Sequence, residues 1–259
     1  MPQEGVAVFA IATEPGLMIP AKVAIQYAQQ LGAQVILYGD QYSPEALRQV
    51  VLRYDPAFLF VESHGFPCSV TAQRLKPAIS TPATESEPKA YCPASINTDI
   101  VEGRVLHFNA CWTGLRLGEV LVRRGALAFY GTKRPFMFLM PKDGKTLDRI
   151  GAAPFIAEYT VEVALMSGMT TGQAQEARMR AYDVAIDVWR NSTHPASDLL
   201  VTVLQADKDN AVFYGDPNVR VFPRIEEPKR VVVKMDVGKT SMSYLLAFLI
   251  LGAVLGGGK

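Results

Sequence analysis

At 259 residues, 49% hydrophobic and 20% charged, the chain can bury a full core in one large domain, which excludes disordered and collagen-like classes. Its net charge of +1 supplies no global field for a polyanion, and no local basic patch stands out, so no nucleic-acid partner is expected. The start, Met-Pro-Gln-Glu, lacks a basic leader or cleavage site, so no signal peptide is expected and Val6 to Ala12 reads as a first strand. A helix from Ile19 to Leu31 follows, then a strand from Gln34 to Tyr38, a helix from Pro44 to Arg53 and a strand from Ala57 to Val61. After Gly103 the pattern resumes with a strand from Val105 to Ala110, a helix from Leu115 to Arg124 and a strand from Ala126 to Tyr130. Such alternation predicts an α/β fold, a mostly parallel sheet with helices on both faces.

Between Leu75 and Gly103 the alternation stops, and Pro77, Pro82, Pro88 and Pro93 stand among polar residues. That stretch reads as a long loop beside the strand ends, either a lid or processing segment or a plain surface insertion. Ala153 to Met166 and Thr171 to Arg190 carry helical spacing with one buried face. Ala211 to Tyr214 reads as a late strand ending in Gly215-Asp216-Pro217, with Val219 to Phe222 and Arg230 to Met235 as short strand candidates. Tyr244 to Gly258 contains no charged residue, and counted from Ser241 the run is about 18 residues, at the lower edge of what spans a bilayer. Residues 242–258 are therefore a candidate transmembrane helix, or a hydrophobic helix packed on the core or a partner. Lys229, Arg230, Lys234 and Lys239 precede that run and only Lys259 follows it, which favours a membrane anchor with the globular domain in the cytoplasm. The packed-helix reading makes the protein soluble and cytoplasmic instead.

The chemistry concentrates where two apolar strands end. Phe58-Leu59-Phe60-Val61 leads into His64-Gly65, and Val105 to Ala110 leads into Cys111. In a parallel sheet the ligand crevice lies beyond the carboxyl ends of the strands, which is where both side chains fall. Imidazole beside a thiol can make or stabilise a thiolate, the requirement of nucleophilic acyl transfer. A helix beginning near Gly114 would aim its positive end at the Cys111 sulfur and favour the thiolate. The backbone N–H groups of Gly65 and Cys111 are the expected oxyanion donors, and Gly65 lets the backbone approach a substrate. Each residue has a plainer reading alone: a buried small side chain for Cys111, a polar surface turn for His64.

Three cysteines at wide spacing suggest neither a disulfide framework nor a zinc site, and a reducing compartment is expected. Cys68 and Cys92 read as inert thiols, although Cys68, four residues after His64, can approach Cys111, which makes a regulatory disulfide or a metal cluster with Cys92 conceivable. His107 reads as a core histidine, while Glu62 and Asp216 are left without a role. Gly144-Lys145-Thr146 and Gly238-Lys239-Thr240 are not phosphate loops, because Leu139 and Val233 stand where the first glycine must be. No Gly-x-Gly-x-x-Gly follows the first strand, which disfavours a dinucleotide site.

The strand ending Glu62-Ser63-His64-Gly65, the strand ending Asn109-Ala110-Cys111-Trp112-Thr113-Gly114, the run Leu117-Gly118-Glu119 through Gly131, and the late Gly215-Asp216-Pro217-Asn218-Val219-Arg220 occur in order over most of residues 6–222. This set resembles the caspase-like cysteine peptidases that include gingipains, clostripain and caspases, with the gingipain-like branch nearest. The resemblance implies a caspase-like three-layer sandwich with about six strands over residues 1–222, His64 as catalytic histidine, Cys111 as nucleophile, and peptide-bond hydrolysis through a thioester. It implies no required cofactor and no metal ligands, with calcium dependence known among relatives, and a protein or peptide substrate. Residues 223–241 then form a linker with a possible short strand. Trp112, Lys133 and Arg134 are weak candidates for substrate contacts, the two basic residues suiting an acidic substrate; the oligomeric state is left open. A catalytically silent caspase-like scaffold or adaptor at a membrane is the alternative, and a small-molecule hydrolase or transferase using the same pair is a third reading.

Overall fold

The computed structural model describes residues 2–14, 17–140 and 149–223. Strands β1 (Gln3–Ile11), β2 (Val35–Tyr38) and β3 (Pro56–Glu62) come first, followed by β4 (Gly65–Phe66), β5 (Ser69–Thr71) and β6 (Pro77–Ser80). Strands β7 (Val105–Asn109), β8 (Ala128–Thr132) and β9 (Ala211–Gly215) complete the set. The main sheet runs β2-β1-β3-β7-β8-β9, parallel throughout except for β9, which pairs antiparallel with β8. A smaller antiparallel sheet has the order β4-β5-β6.

The strands are apolar on both faces because both are covered. Phe9, Ile11, Phe58, Phe60 and Tyr130 point into one core, packed by α1 (Met18–Leu31) and, after β8, by α4 (Arg149–Glu158), α5 (Thr160–Met166), α6 (Thr171–Arg190) and α7 (Ser197–Asn210). Val8, Ala10, Leu59, Val61, Leu106, Phe108 and Phe129 point the other way, against α2 (Pro44–Tyr54), α3 (Leu117–Arg123) and the small sheet. The period-two alternation of each strand thus becomes two cores and three layers. Local signals mark several helix ends: Ser43 accepts from the Ala46 N–H with Pro44 in the first turn, Thr170 and Gln173 form a capping box, and Gly32 closes α1 in a left-handed conformation.

Several expected elements are corrected. The stretch from Leu75 is not all loop, since Pro77–Ser80 is a strand whose alternation is too short to stand out and which exists only through pairing with β5. The predicted helix from Ala153 to Met166 is two helices meeting at Tyr159. The predicted helix from Leu115 to Arg124 is shorter, Leu117–Arg123, because Cys111 to Arg116 form turns. Val219 to Phe222 is not a strand, although the Val219 and Val221 carbonyls accept from the Thr171 and Gly5 N–H groups. Helix α7 was not foreseen from sequence. Arg230 to Met235 and the 242–258 segment lie outside the described residues, and among the described residues no helix is long and apolar enough to cross a membrane.

Cys68 and Cys92 form a disulfide, which corrects the reading of both as inert thiols. The bond ties the β4–β5 turn to the proline-rich excursion. Two further contacts fasten the same segment: Phe66 stacks on Tyr91 at 4.0 Å between ring centroids, and Arg116 pairs with Glu87 at 2.6 Å. A closure over 24 residues is worth about 3 kcal/mol by chain-entropy arguments. Cys92→Ser is therefore expected to lower the urea unfolding free energy by about 3 kcal/mol, and an unchanged denaturation midpoint would mean that the bond does not constrain the chain.

Candidate active site

The chain runs from β1 to β2 on one side and returns across β1 to β3 on the other, so the topological switch point lies between the carboxyl ends of β1 and β3. Glu14 follows β1 there and His64 follows β3, with the carboxylate Oε2 3.6 Å from the imidazole Nε2. The last register pair between β3 and β7 is Glu62 with Asn109, so His64 and Cys111 each stand two residues beyond it on neighbouring strands. Gly65 confirms the closeness from the backbone side. A Cβ on it would come within 2.9 Å of the Ala110 Cβ, so Gly65 is needed to let the histidine turn lie against the cysteine turn. Glycine at 65 was expected to admit substrate; its demonstrated role is this packing.

Glu14 was missed in the sequence because an acid after a strand carries no motif of its own. Its carboxylate does two things at once. Oε1 accepts from the Leu75 N–H at 2.8 Å, holding a turn in which Arg74 and Leu75 both have positive φ, 61° and 54°. Oε2 faces His64, whose side chain is 37% exposed. A carboxylate so placed can orient the imidazole. Because the pair is partly solvated, Glu14→Gln is expected to slow any His64-dependent reaction only about tenfold. The amide retains an acceptor for Leu75, so an equal loss of stability and of rate would point to a structural role alone.

The Cys111 thiol is pushed above its ordinary value by burial, while the backbone N–H of Phe136 pulls it back and the charge of Glu62 raises it further. This corrects the expectation of a thiolate favoured by a helix terminus: α3 begins six residues after the sulfur, beyond a run of turns. Alkylation of Cys111 by iodoacetamide is accordingly expected to be slow at pH 7 and still rising above pH 9. A plateau by pH 7 would require a preformed thiolate that this environment does not favour. The backbone N–H of Cys111 donates to no other described residue and lies beside its own sulfur, which it helps to pull down.

Trp112 adopts a left-handed φ of 60° and is 37% exposed, so it is not buried in the core. Its N–H donates to the Arg134 carbonyl at 3.4 Å, which draws the chain after β8 alongside the cysteine turn. Lys133 and Arg134 are both exposed on that chain, and neither side chain has an ion pair among the described residues. Asp216 serves a turn: its Oδ1 accepts from the Asn218 N–H at 2.9 Å. Among the described residues no group of side chains could hold a metal ion, and Cys68 and Cys92 are covalently engaged with each other.

Beneath the strand ends lies a buried polar cluster of which sequence reading anticipated only His107. Glu62 accepts from Tyr159 at 2.7 Å and from Asn109 at 2.8 Å, and burial pushes its carboxyl up to about 8. It is therefore largely protonated at neutral pH and becomes charged only in the alkaline range, where it opposes ionisation of the thiol. His107 sits between Glu162 and Glu158, and Glu158 also accepts from Arg178 and from Tyr182. Burial pulls the imidazole down, but the two carboxylates outweigh it and raise His107 to about 9.

The fold and this site define a class: a three-layer α/β domain that presents a carboxylate and an imidazole at its sheet's switch point and a thiol at the end of the next strand. Compared with known families and curated proteins, the chain matches no family model and no curated protein.

Proposed function

We propose that the protein is a cysteine endopeptidase of caspase-like type, in which Cys111 attacks a peptide carbonyl and His64 manages the proton. The observation that carries this reading is that Glu14, His64 and Cys111 follow the carboxyl ends of the three adjacent parallel strands β1, β3 and β7, with Glu14 3.6 Å from His64 and the Gly65 turn packed against the Cys111 turn. The main sheet order β2-β1-β3-β7-β8-β9 with an antiparallel last strand is compatible with the gingipain-like resemblance of the motifs. In the proposed cycle His64 takes the thiol proton as the sulfur attacks, and the oxyanion faces the Cys111 N–H. The imidazolium, oriented by Glu14, then protonates the leaving amine, and water admitted through the same base hydrolyses the thioester. A thiol that is protonated at rest suits this concerted role for the imidazole. Trp112 and the exposed chain carrying Lys133 and Arg134 would border the substrate. No cofactor is required by these steps; calcium enters as a condition to vary.

The test is cleavage of a randomised fluorogenic peptide library by the full chain, run beside Cys111→Ala with and without calcium. The raised thiol favours a second reading, a silent scaffold of the same fold, since a buried protonated cysteine is an ordinary inert one. No turnover from folded protein under any condition would select it. The apolar 242–258 segment supports a membrane tether for either reading. The buried cystine fits an oxidising compartment better than a reducing one.

A further inference from the structure

On the β2 side of β1, away from β3, the first turns of α1 and the chain leaving β2 line an open cleft of about 470 Å³. That volume is in the roughly 300–1,000 Å³ range of small-molecule sites. Its walls are apolar, with Met18, Ala21 and Ile25 from α1 facing Tyr38 from the end of β2. Met18 and Tyr38 are 49% and 45% exposed, so substantial apolar surface is left facing the opening instead of the core. Two charged residues border the space, and they are not equivalent. Asp40 is paired at the surface with Arg74 at 3.1 Å. Lys22, next to Ala21 on the helix wall, is exposed and has no ion-pair partner among the described residues.

An apolar cleft with one ammonium at its edge that lacks an ion-pair partner among the described residues discriminates by charge. A cation meets Lys22 while the nearby Asp40 is already paired with Arg74, a neutral molecule leaves the ammonium unused, and an anion with an apolar body satisfies both parts. A dinucleotide is excluded by the missing glycine-rich turn after β1. We propose that this cleft binds a small amphipathic carboxylate, its apolar body between α1 and Tyr38 and its carboxylate on Lys22. The site is distinct from the Cys111 thiol yet mechanically joined to the His64 end of the sheet. Thr13, which lines the cleft, donates its N–H to Gln73 at 2.9 Å, and Asp40 holds Arg74 of the same turn. The next residue of that turn is Leu75, whose N–H is held by Glu14, the partner of His64.

The experiment is isothermal titration of the full chain with octanoate, 1-octanol and octylamine, each below its aggregation threshold. Octanoate is expected to bind one site at least about tenfold more tightly than octanol or octylamine. Lys22→Gln should reduce octanoate to the level of octanol, and Met18→Glu, a change at an exposed position, should weaken it by about tenfold or more. Cys111→Ala should bind octanoate as the parent does, whatever becomes of the peptidase reading. Absence of saturable octanoate binding to folded protein overturns the proposal. So does equal binding of the three probes, or octanoate binding that ignores both the Lys22 and Met18 substitutions.

Discussion

Replacing Glu158 by Gln is expected to lower the unfolding free energy by about 3–5 kcal/mol, the usual consequence of removing one member of a buried ion pair. Glu158 is fully buried and serves three partners: the His107 ring, the Arg178 guanidinium and the Tyr182 hydroxyl. Arg178, itself without exposure, also donates to the Gly131 and Val212 carbonyls, so the same group ties β8 and β9 to α4 and α6. With Glu158 neutral, Arg178 and His107 would remain charged in the core with one carboxylate fewer to face. Burial alone would raise Glu158, but the Arg178 charge and the His107 bond hold it at about 2. Its contribution is therefore complete above the ordinary carboxylate range and is lost only as pH falls towards 2. A Glu158→Gln protein with an unchanged urea midpoint would show that the cluster does not support the fold.

The alkaline side is governed by groups of the opposite sign. Glu62 and Asp207 are each raised to about 8, chiefly by burial, and His107 to about 9. Each keeps a proton in the fold at a pH where the unfolded chain has released it, so each makes stability fall as pH rises. For the two carboxyls the fall spans the ordinary carboxylate range up to about 8, and for His107 it spans about 6.5 up to about 9. Stability should accordingly decline between pH 6.5 and 8, by at most roughly 1.4 kcal/mol per pH unit for each retained proton. Urea titrations at pH 6, 7.5 and 9 read this directly, and a midpoint that climbs over the interval would contradict the protonation states assigned to the cluster.

Cys111→Ala is expected to abolish peptide hydrolysis, a loss of about 10⁴-fold or more, and His64→Ala to come close to it. The two residues would act as a unit, so the double substitution should cost little beyond either single one. Glu14→Gln, by contrast, leaves the reacting groups in place and should cost about tenfold. This ordering separates the peptidase reading from a scaffold that merely retains the residues. Cleavage surviving in the Cys111 variant would remove the mechanism. Equal losses for Glu14 and Cys111 would instead point to collapse of the switch point as a whole.

How far the sequence reached follows from the range of the forces involved. Strand and helix identities around the main sheet were legible because burial on both faces writes continuous apolar runs, and amphipathic helices write a 3.6-residue period. His64 and Cys111 were legible because each directly follows such a run. The short strands β4, β5 and β6 were not, since two to four residues carry no period and depend on partners. Glu14 and the Glu62–His107–Glu158–Arg178 cluster were equally hidden. Their positions are separated by tens of residues, and only the pairing of β1, β3 and β7 and the packing of α4 to α6 bring the side chains together.

By itself, then, the sequence determined the α/β class, the alternation of layers and the two strand ends where reactive side chains emerge, all of them properties of local pattern and burial. Tertiary structure alone decided which carboxylate meets His64, that Cys68 bonds to Cys92, and that the Cys111 thiol is held protonated by burial instead of ionised by a helix terminus. Those are questions of distance and dielectric between residues far apart in the chain, and no spacing within one segment encodes them.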